Sequence, residues 1–310
     1  MARAVAVPDG HTPHVNALAA SRPRLGILAA YATIYLVWGS TFLVIRLGVR
    51  SLPPMLFAGG RFLFAGALLG AVAVLLRERF PRTGLEWRYL AAFSVLMITS
   101  SSGLTTIALR HLPSNEGALL SAGSALWIAW LGALGPKGHK LTLRGNLGLL
   151  LGLVGVVLLV WPQGATLSGH FGWQSLVLIG SLSWAVGTVL YRNAALPVGP
   201  VAFNAVMMSL GGTWLLLAGA ANGEIPDWRW QAGGLAAMAY LAVFGSALAY
   251  TAYTWLLKYS PADRVGTFAF VNPAIAALLG WVVLGEALRP AQLAGMLVVL
   301  LGVALVTLGK

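Results

Sequence analysis

The chain has 310 residues, of which 58% are hydrophobic and only 9% are charged, and its mean hydropathy is +0.82. A soluble globular domain carries about 25% charged residues to cover its surface, so this composition excludes a soluble domain and indicates a polytopic membrane protein. The net charge of +12 forms no basic run interleaved with aromatic residues, so we expect it to orient the chain in the membrane and predict no nucleic-acid partner. The absence of cysteine excludes disulfides and thiolate metal sites.

The N-terminal stretch, residues 1–25, does not have the pattern of a signal peptide. Pro8, Asp9, His11 and His14 stand where a signal peptide needs an apolar core. We therefore expect a flexible cytoplasmic tail ahead of the first membrane span.

Apolar segments then follow one another along the rest of the chain. A spanning helix needs roughly 20 mostly apolar residues, and the sequence offers ten candidates, separated by proline, glycine and charged residues. The predicted fold is therefore an all-α polytopic membrane protein. The ten predicted helices cover residues 26–48, 55–76, 88–109, 114–134, 143–161, 173–191, 199–220, 231–256, 262–284 and 291–308.

The distribution of basic residues predicts the orientation, because cytoplasmic loops carry an excess of lysine and arginine. With the N-terminus placed in the cytoplasm, Arg61 lies inside a helix and 14 of the 20 basic residues lie on the cytoplasmic side. We therefore expect both termini in the cytoplasm of a multi-pass protein of the cell (inner) membrane. The five outer basic residues are Arg46, Arg50, Arg110, Arg229 and Arg289.

The two halves of the chain repeat each other. The segment "LTLRGNLGLLLGLVGVVLLV" (141–160) matches "LRPAQLAGMLVVLLGVALVT" (288–307), and Trp38 and Trp184 occupy corresponding first helices. Because each half has five predicted helices, an odd number, the second half must enter the membrane from the opposite face. An inverted repeat of this kind is typical of secondary transporters, in which the substrate site lies near the midplane between the repeats.

Two longer blocks carry a family resemblance. They are "VWGSTFLVIRLGVRSLPPMLFAGGRFLFAGALL" (37–69) and "SPADRVGTFAFVNPAIAALLGWVVLGEALRPAQLAGMLVVLLGVALV" (260–306). Together they resemble the two EamA repeats of the drug/metabolite transporter superfamily, a likeness that covers nearly all of residues 28–308. The resemblance implies two five-helix repeats, residues 26–161 and 171–308, around a central cavity, and export of small metabolites or drugs.

The first repeat departs from that pattern in one respect that bears on shape. Pro273 follows Pro261 by twelve residues, whereas the corresponding position after Pro113 is Ala125. We expect Pro273 to kink the ninth helix, because proline lacks an amide donor and crowds the preceding turn. The fourth helix, without that proline, is expected to be straighter.

Polar and aromatic residues inside the predicted helices are the candidates for a substrate cavity. Within a bilayer such groups need partners in the protein or in a wet cavity. Each of them can also be explained by helix packing or by a bond to its own helix, and Asn272 can serve the loosened backbone near Pro273. The candidates are Trp38, Ser40, Thr41, Thr99, Ser101, Trp184, Thr188, Ser246, Tyr250 and Asn272.

Two charges, Arg61 and Glu116, fall within predicted helices. Arg61 lies about 10 Å along the second helix from Pro54, too deep for its head to reach water easily. Glu116 opens the fourth helix, where it can act as a helix-capping acid or pair with Arg61 in a partly buried coupling site.

The sequence favours transport over catalysis. It has no HExxH, GxSxG or phosphate-loop motif, and we predict no cofactor and no metal site. The expected partners are a small-molecule substrate and the lipid bilayer, and the chain shows no ATPase subunit of its own. A lipid flippase, a cation channel and a membrane-embedded enzyme remain alternatives.

Overall fold

The computed structural model describes residues 24–134, 142–160, 170–194, 196–260, 265–286 and 290–308, so nearly all of the predicted N-terminal tail lies outside the described residues. The described residues form helices and connecting turns, and no strand occurs among them. The helices are α1 Arg24–Gly48, α2 Pro54–Leu75, α3 Gly84–Ala108, α4 Ser114–Ser121, α5 Ser124–Ala133, α6 Leu143–Val160, α7 Phe171–Ala194, α8 Pro200–Ala221, α9 Ala232–Tyr259, α10 Phe268–Leu284 and α11 Pro290–Leu308.

Within the described residues, six helices are long and apolar enough to cross a membrane: α1, α2, α3, α7, α8 and α9. Helices α6, α10 and α11 contain shorter apolar segments. Large apolar side chains cover the outside of the molecule, for example Leu75 (81% exposed) and Trp281 (65% exposed). Such a surface suits lipid rather than water.

The third helix of each half has a widened turn. The middle of α3, Ser94–Gly103, and the middle of α9, Leu241–Leu248, are both π-helical. π-Helical segments are rare in proteins and are frequent at functional sites. Their occurrence at matching places in the two halves is a structural sign of the repeat.

The fourth predicted helix is broken into α4 and α5, so the expectation that it would be straight is wrong. The break lies at Ala122–Gly123, where Gly123 N donates to Leu120 O, three residues back (3.2 Å). Glycine is a poor helix former because it gains no side-chain contacts and loses much backbone freedom. Gly123 therefore favours an interruption of this helix. The alanine at position 125, in place of a proline, gave no sign of it.

In the second half, an interruption lies ahead of Pro273. Gly266 and Thr267 form a turn, and α10 then runs through Pro273 as one helix to Leu284. Asn272, with its amide oriented to satisfy its neighbours, donates to Tyr35 O on α1 (3.1 Å) and to Phe268 O (3.2 Å). Asn272 thus serves the backbone near Pro273 and ties α10 to α1.

Helices α2 and α8, the second helix of each half, pack antiparallel. Their backbones approach closely at glycine residues. A Cβ added to Gly66 would lie 2.8 Å from Ser209 N and 2.9 Å from Ala205 O, and one added to Gly212 would lie 2.7 Å from Leu63 N. Small residues of this kind let helix backbones approach closely in membranes.

Each of these helices is also capped by an acid that follows the other. After α8, Glu224 accepts from Met55 N (3.0 Å) and Leu56 N (2.9 Å) at the start of α2. After α2, Glu78 accepts from Val201 N (2.8 Å) and Ala202 N (2.9 Å) at the start of α8. A carboxylate at a helix N-terminus satisfies free N–H groups and the positive end of the helix dipole. The spacing is the same in both cases: 146 residues separate Pro54 from Pro200 (200 − 54) and Glu78 from Glu224 (224 − 78). The two prolines, and likewise the two glutamates, therefore occupy equivalent positions in the two halves.

The last helices of the two halves, α6 and α11, also pack against each other through glycine residues. A Cβ on Gly155 of α6 would meet Val299 N at 2.6 Å, and one on Gly302 of α11 would meet Gly148 O at 2.7 Å. The early part of each helix therefore faces the late part of the other. Both pairs of equivalent helices run in opposite directions, which is the relation that an inverted repeat requires.

Gly66→Ala should destabilise the protein because its Cβ would collide with the backbone of α8. We expect a loss of about 1–3 kcal/mol in the free energy of unfolding, measured as a lower melting temperature of detergent-purified protein. The matched control is Gly70→Ala, one turn later on the same helix, where a Cβ would meet nothing within 4 Å. Equal melting temperatures for the two variants would show that the close approach of α2 and α8 is wrong.

Candidate functional site

A cavity of about 120 Å³ lies between helices of both halves, and its lining residues come from α1 to α5 of the first half and from α7, α9 and α10 of the second. Hydroxyl-bearing and aromatic side chains dominate its wall. The lining residues are Trp38, Thr41, Phe42, Ile45, Arg61, Ser101, Ser102, Thr105, Ser121, Ser124, Ser181, Trp184, Tyr250, Phe268 and Asn272.

An aromatic cluster, defined as Trp38, Trp184, Tyr250, Tyr253 and Phe268, adjoins the cavity, and all of its members except Tyr253 line the wall. The rings of Trp38 and Trp184, which occupy equivalent positions in the two halves, meet edge to face with centroids 5.7 Å apart. Trp38 also contacts Tyr250 (5.5 Å) and Phe268 (5.0 Å). Edge-to-face aromatic contacts fix ring orientation, so the cluster gives the cavity a rigid apolar wall.

Hydroxyl-bearing side chains of α1, α3, α4, α5 and α7 also line the wall, and three of them have hydrogen-bond partners within the protein. Thr41 donates to Trp38 O (2.7 Å), and Ser181 donates to Leu178 O (2.8 Å). Ser102 on the π-helical part of α3 shares a hydrogen bond with the Tyr250 hydroxyl (3.0 Å). Because a hydroxyl that donates to a carbonyl keeps its acceptor lone pairs, these groups can still receive hydrogen bonds from a bound molecule.

Arg61 brings a formal charge to the cavity wall. It is 3% exposed, and its Nε donates to Ser246 Oγ on α9 (2.8 Å). The guanidinium carbon also lies 4.4 Å from the centre of the Phe62 ring. Nη1 has no hydrogen-bond partner. A buried charge held by a neutral hydroxyl and a ring is incompletely compensated.

The structure brings six of the ten predicted cavity residues together at this wall: Trp38, Thr41, Ser101, Trp184, Tyr250 and Asn272. Whether these six contact a substrate stays a prediction.

The other four predicted residues contact protein instead. Ser40 shares a hydrogen bond with the Tyr240 hydroxyl (2.8 Å), and Thr188 shares one with the Tyr253 hydroxyl (3.1 Å). Thr99 donates to Ser94 O, which the π-helical turn places within reach (3.2 Å), and Ser246 accepts from Arg61.

The hypothesis that Arg61 pairs with Glu116 is wrong in this structure. Glu116 Oε1 accepts from Gln174 Nε2 on α7, whereas Arg61 donates to Ser246 on α9. Across the part of the chain that the structure describes, the ion pair within 4 Å is that of Arg79 with Glu86. Arg61 and Glu116 lie on helices that have different neighbours, and so the two side chains have different partners. The spacing of residues along the sequence does not show which helices are neighbours.

Glu116 lies in the first turn of α4, where the sequence suggests a capping acid, but another acid accepts the hydrogen bonds from the start of this helix. Glu286, in the loop after α10, accepts from Ser114 N (3.0 Å) and Ser114 Oγ (2.6 Å) at the start of α4. In the first half the position that corresponds to Glu286 is His139, which lies outside the described residues. Since Glu286 belongs to the second half, the second half provides the cap of α4 in the first half.

Two lining residues that sequence reasoning missed flank the break between α4 and α5. Ser121 and Ser124 stand on either side of Ala122–Gly123 and line the cavity. The signal for them is present in the sequence "SAGS", two serines around a residue that interrupts a helix. Phe42, Ile45 and Phe268 gave no comparable signal, because apolar residues are common throughout these helices.

The cavity wall offers no set of metal ligands. Among the residues that the structure describes, no three histidine, cysteine, aspartate or glutamate side chains come together. The arrangement can instead hold a small solute through its rings, hydroxyl groups and one guanidinium.

Comparison with known proteins gives consistent matches over almost the whole chain. The model of the EamA-like transporter family matches residues 24–161 and 172–308. The chain is 36% identical over 293 residues, 93% of each chain, to "Uncharacterized inner membrane transporter YedA" of Escherichia coli (strain K12). It is 28% identical, over 92% of each chain, to "Uncharacterized transporter YvbV" of Bacillus subtilis (strain 168). A solved crystal structure of a protein with 22% identity shares the fold, with a TM-score of 0.68 over 92% of this chain and 98% of that one.

Ser246→Ala should destabilise the protein more than the loss of a cavity-lining hydroxyl, because the donor to Ser246 is a buried charge. We expect a loss of about 2 kcal/mol in the free energy of unfolding, measured as a lower melting temperature, with most of it recovered in Ser246→Thr. The matched control is Ser181→Ala, expected to change stability by less than about 0.5 kcal/mol, since Ser181 donates to its own helix. Equal losses in the two alanine variants would contradict the role of Ser246 as the partner of Arg61.

Proposed function

The chain belongs to the EamA-like transporter family, and from that premise we propose that it is a secondary transporter that exports small organic solutes by alternating access. The solutes are metabolites, amino-acid-like compounds or drugs, and the membrane is the cell (inner) membrane. The observation that carries the proposal is the cavity between two halves whose equivalent helices run antiparallel.

The wall of the cavity supports binding of a small, partly apolar solute. Rings on one side offer contact area, while hydroxyl groups on α3, α5 and α7 can receive or donate hydrogen bonds. Ligand sites in proteins combine these two features: mostly apolar walls and a few placed polar groups.

Alternating access is supported by the reciprocal contacts between the halves. Glu78 caps α8 and Glu224 caps α2, so the two ends of this helix pair carry equivalent contacts. A pseudo-symmetric structure can exchange the conformations of its halves and so open the cavity to one side and then the other. The break at Ala122–Gly123, with cavity-lining serines on both sides, supplies a place where a helix can bend.

We also propose ten membrane spans with both termini in the cytoplasm. The six long helices, a fourth span composed of α4 and α5, and helices α6, α10 and α11 make up the ten. The excess of basic residues on one side, 14 against five, supports this orientation. The energy source consistent with the proposal is a gradient of protons or of another solute.

Reporter fusions provide the test of this topology. A reporter that is active only outside the cytoplasm should be inactive after Lys310 and active when inserted near Pro226, in the turn between α8 and α9. A cytoplasmic reporter should give the opposite pattern. An active periplasmic reporter at the C-terminus would mean an odd number of spans and would rule out the proposed arrangement.

The proposed function is tested by efflux from vesicles or loaded cells against a panel of metabolites and drugs, with and without a pH gradient. We expect efflux of at least one compound class to depend on the intact protein. We expect Thr41→Val, which changes the cavity wall, to alter the relative rates of panel compounds about fivefold at a normal protein level. Ser40→Ala, which removes the contact with Tyr240 outside the cavity, should lower the melting temperature and leave those relative rates unchanged.

Other outcomes of the same assay would replace the proposal. Redistribution of labelled lipid between leaflets, with no solute efflux, would favour a flippase. Chemical turnover of a panel compound by purified protein would favour a membrane-embedded enzyme. Efflux that is indifferent to Thr41→Val and altered by Ser40→Ala would place the binding site elsewhere.

A further inference from the structure

The charge of the cavity wall is of one sign. Among the described residues that line it, Arg61 is the one with a formal charge, and none is an aspartate or glutamate. Arginine stays protonated at any physiological pH, so this guanidinium cannot act as a proton carrier. Its positive charge is a permanent property of the cavity.

The acids on nearby helices are engaged with other groups. Glu116 accepts from Gln174, and Glu286 accepts from Ser114. Glu78 and Glu224 accept from the backbone at the starts of α8 and α2. Arg61 itself has Ser246 and the Phe62 ring as neighbours, with Nη1 lacking an acceptor. An isolated charge at this depth costs several kcal/mol unless it is compensated.

The second half shows that the fold does not require arginine at this place. The position equivalent to Arg61, 146 residues further along as Pro200 is from Pro54, is Met207, which is fully buried on α8. The equivalent buried position in the repeat therefore accepts an uncharged side chain. A costly charge that one repeat carries and the other lacks points to a function other than packing.

We propose that Arg61 binds the carboxylate of the transported solute and that the aromatic cluster holds the solute's apolar body. Guanidinium and carboxylate groups match in geometry and form short, charge-assisted hydrogen bonds. Ser246 holds Nε and so fixes the plane of the guanidinium, while Nη1 has no hydrogen-bond partner within the protein. Trp38 and Tyr250 line the same cavity and offer ring surfaces to the apolar part. This inference rests on the proposed function and names its substrate class.

The same chemistry explains how an occupied cavity would differ from an empty one. A bound carboxylate neutralises the buried charge, so the occupied transporter has a lower desolvation cost than the empty one. An amine presented to the same site would add a second positive charge and would be rejected. The cavity is therefore selective for small organic anions, and for zwitterions that can keep their ammonium group away from Arg61.

The experiment measures equilibrium binding of three probes with one apolar body, 3-phenylpropionate, 3-phenylpropanamide and 3-phenylpropylamine, to purified full-length protein. Wild type should bind the carboxylate at least about tenfold more tightly than the neutral amide, and the amine least. Arg61→Met, which installs the residue that the second half has at the equivalent position, should remove the preference for the carboxylate over the amide. Arg61→Lys should keep the preference at reduced affinity, because it retains the charge and loses the planar fork.

A phenyl phosphate arm separates two anion classes. Tighter binding of phenyl phosphate than of the carboxylate would overturn the carboxylate assignment and identify a phosphate site. Monodispersity and melting temperature identify variants that have not folded. If Arg61→Met fails to fold, an affinity for the carboxylate that is unchanged in Arg61→Lys would overturn the inference by itself. Equal wild-type binding of carboxylate and amide, no binding of any probe, or a preference unchanged in both Arg61 variants would overturn the inference.

Transport of the same probes distinguishes this inference from the proposed function. Carboxylate-selective binding without translocation would leave the inference standing and remove the transporter assignment. Efflux of many solutes without a preference for carboxylates would leave the transporter assignment standing and remove the inference.

Discussion

The antiparallel contact between α2 and α8 is the constraint on which the rest of the structure depends. Gly66 and Gly212 let the two backbones meet, and Glu78 and Glu224 tie each helix end to the opposite half. The hydrophobic effect gives little preference for one helix neighbour over another inside a bilayer, so close packing and hydrogen bonds must supply it. Because the contact is reciprocal, it joins the two halves, between which the cavity lies, about a pseudo-two-fold axis.

The cavity places polar groups where the bilayer would otherwise exclude them. Some of its hydroxyl groups donate to nearby carbonyls, as Thr41 does to Trp38 O, and therefore cost little when the cavity is empty. Arg61 is different, since a serine and a ring do not balance a full charge. The wall can thus contact many uncharged solute surfaces, and it is selective at Arg61. That combination allows a solute to be recognised by one charged group while its body varies.

Broken and widened helices shape the wall. The π-helical turns of α3 and α9 and the interruption between α4 and α5 all lie in helices that contribute lining residues. Each of these features weakens the regular helical hydrogen bonds, which is tolerated in a membrane where protein or a cavity, not lipid, faces the backbone. These are the places where limited motion costs least.

The sequence by itself determined the all-helical membrane class and the two-repeat organisation, because hydropathy and residue spacing are local properties of the chain. Trp38 and Trp184 could be matched by position, and both lie on the cavity wall. Only the tertiary structure decided which polar residues face the cavity, because neighbours on one helix point in different directions: Thr41 lines the cavity, while Ser40 turns to Tyr240. It also gave Arg61 the partner Ser246 in place of Glu116, and it broke the fourth helix at Gly123. Partners across 185 residues of sequence are set by how helices pack, and no local pattern records that.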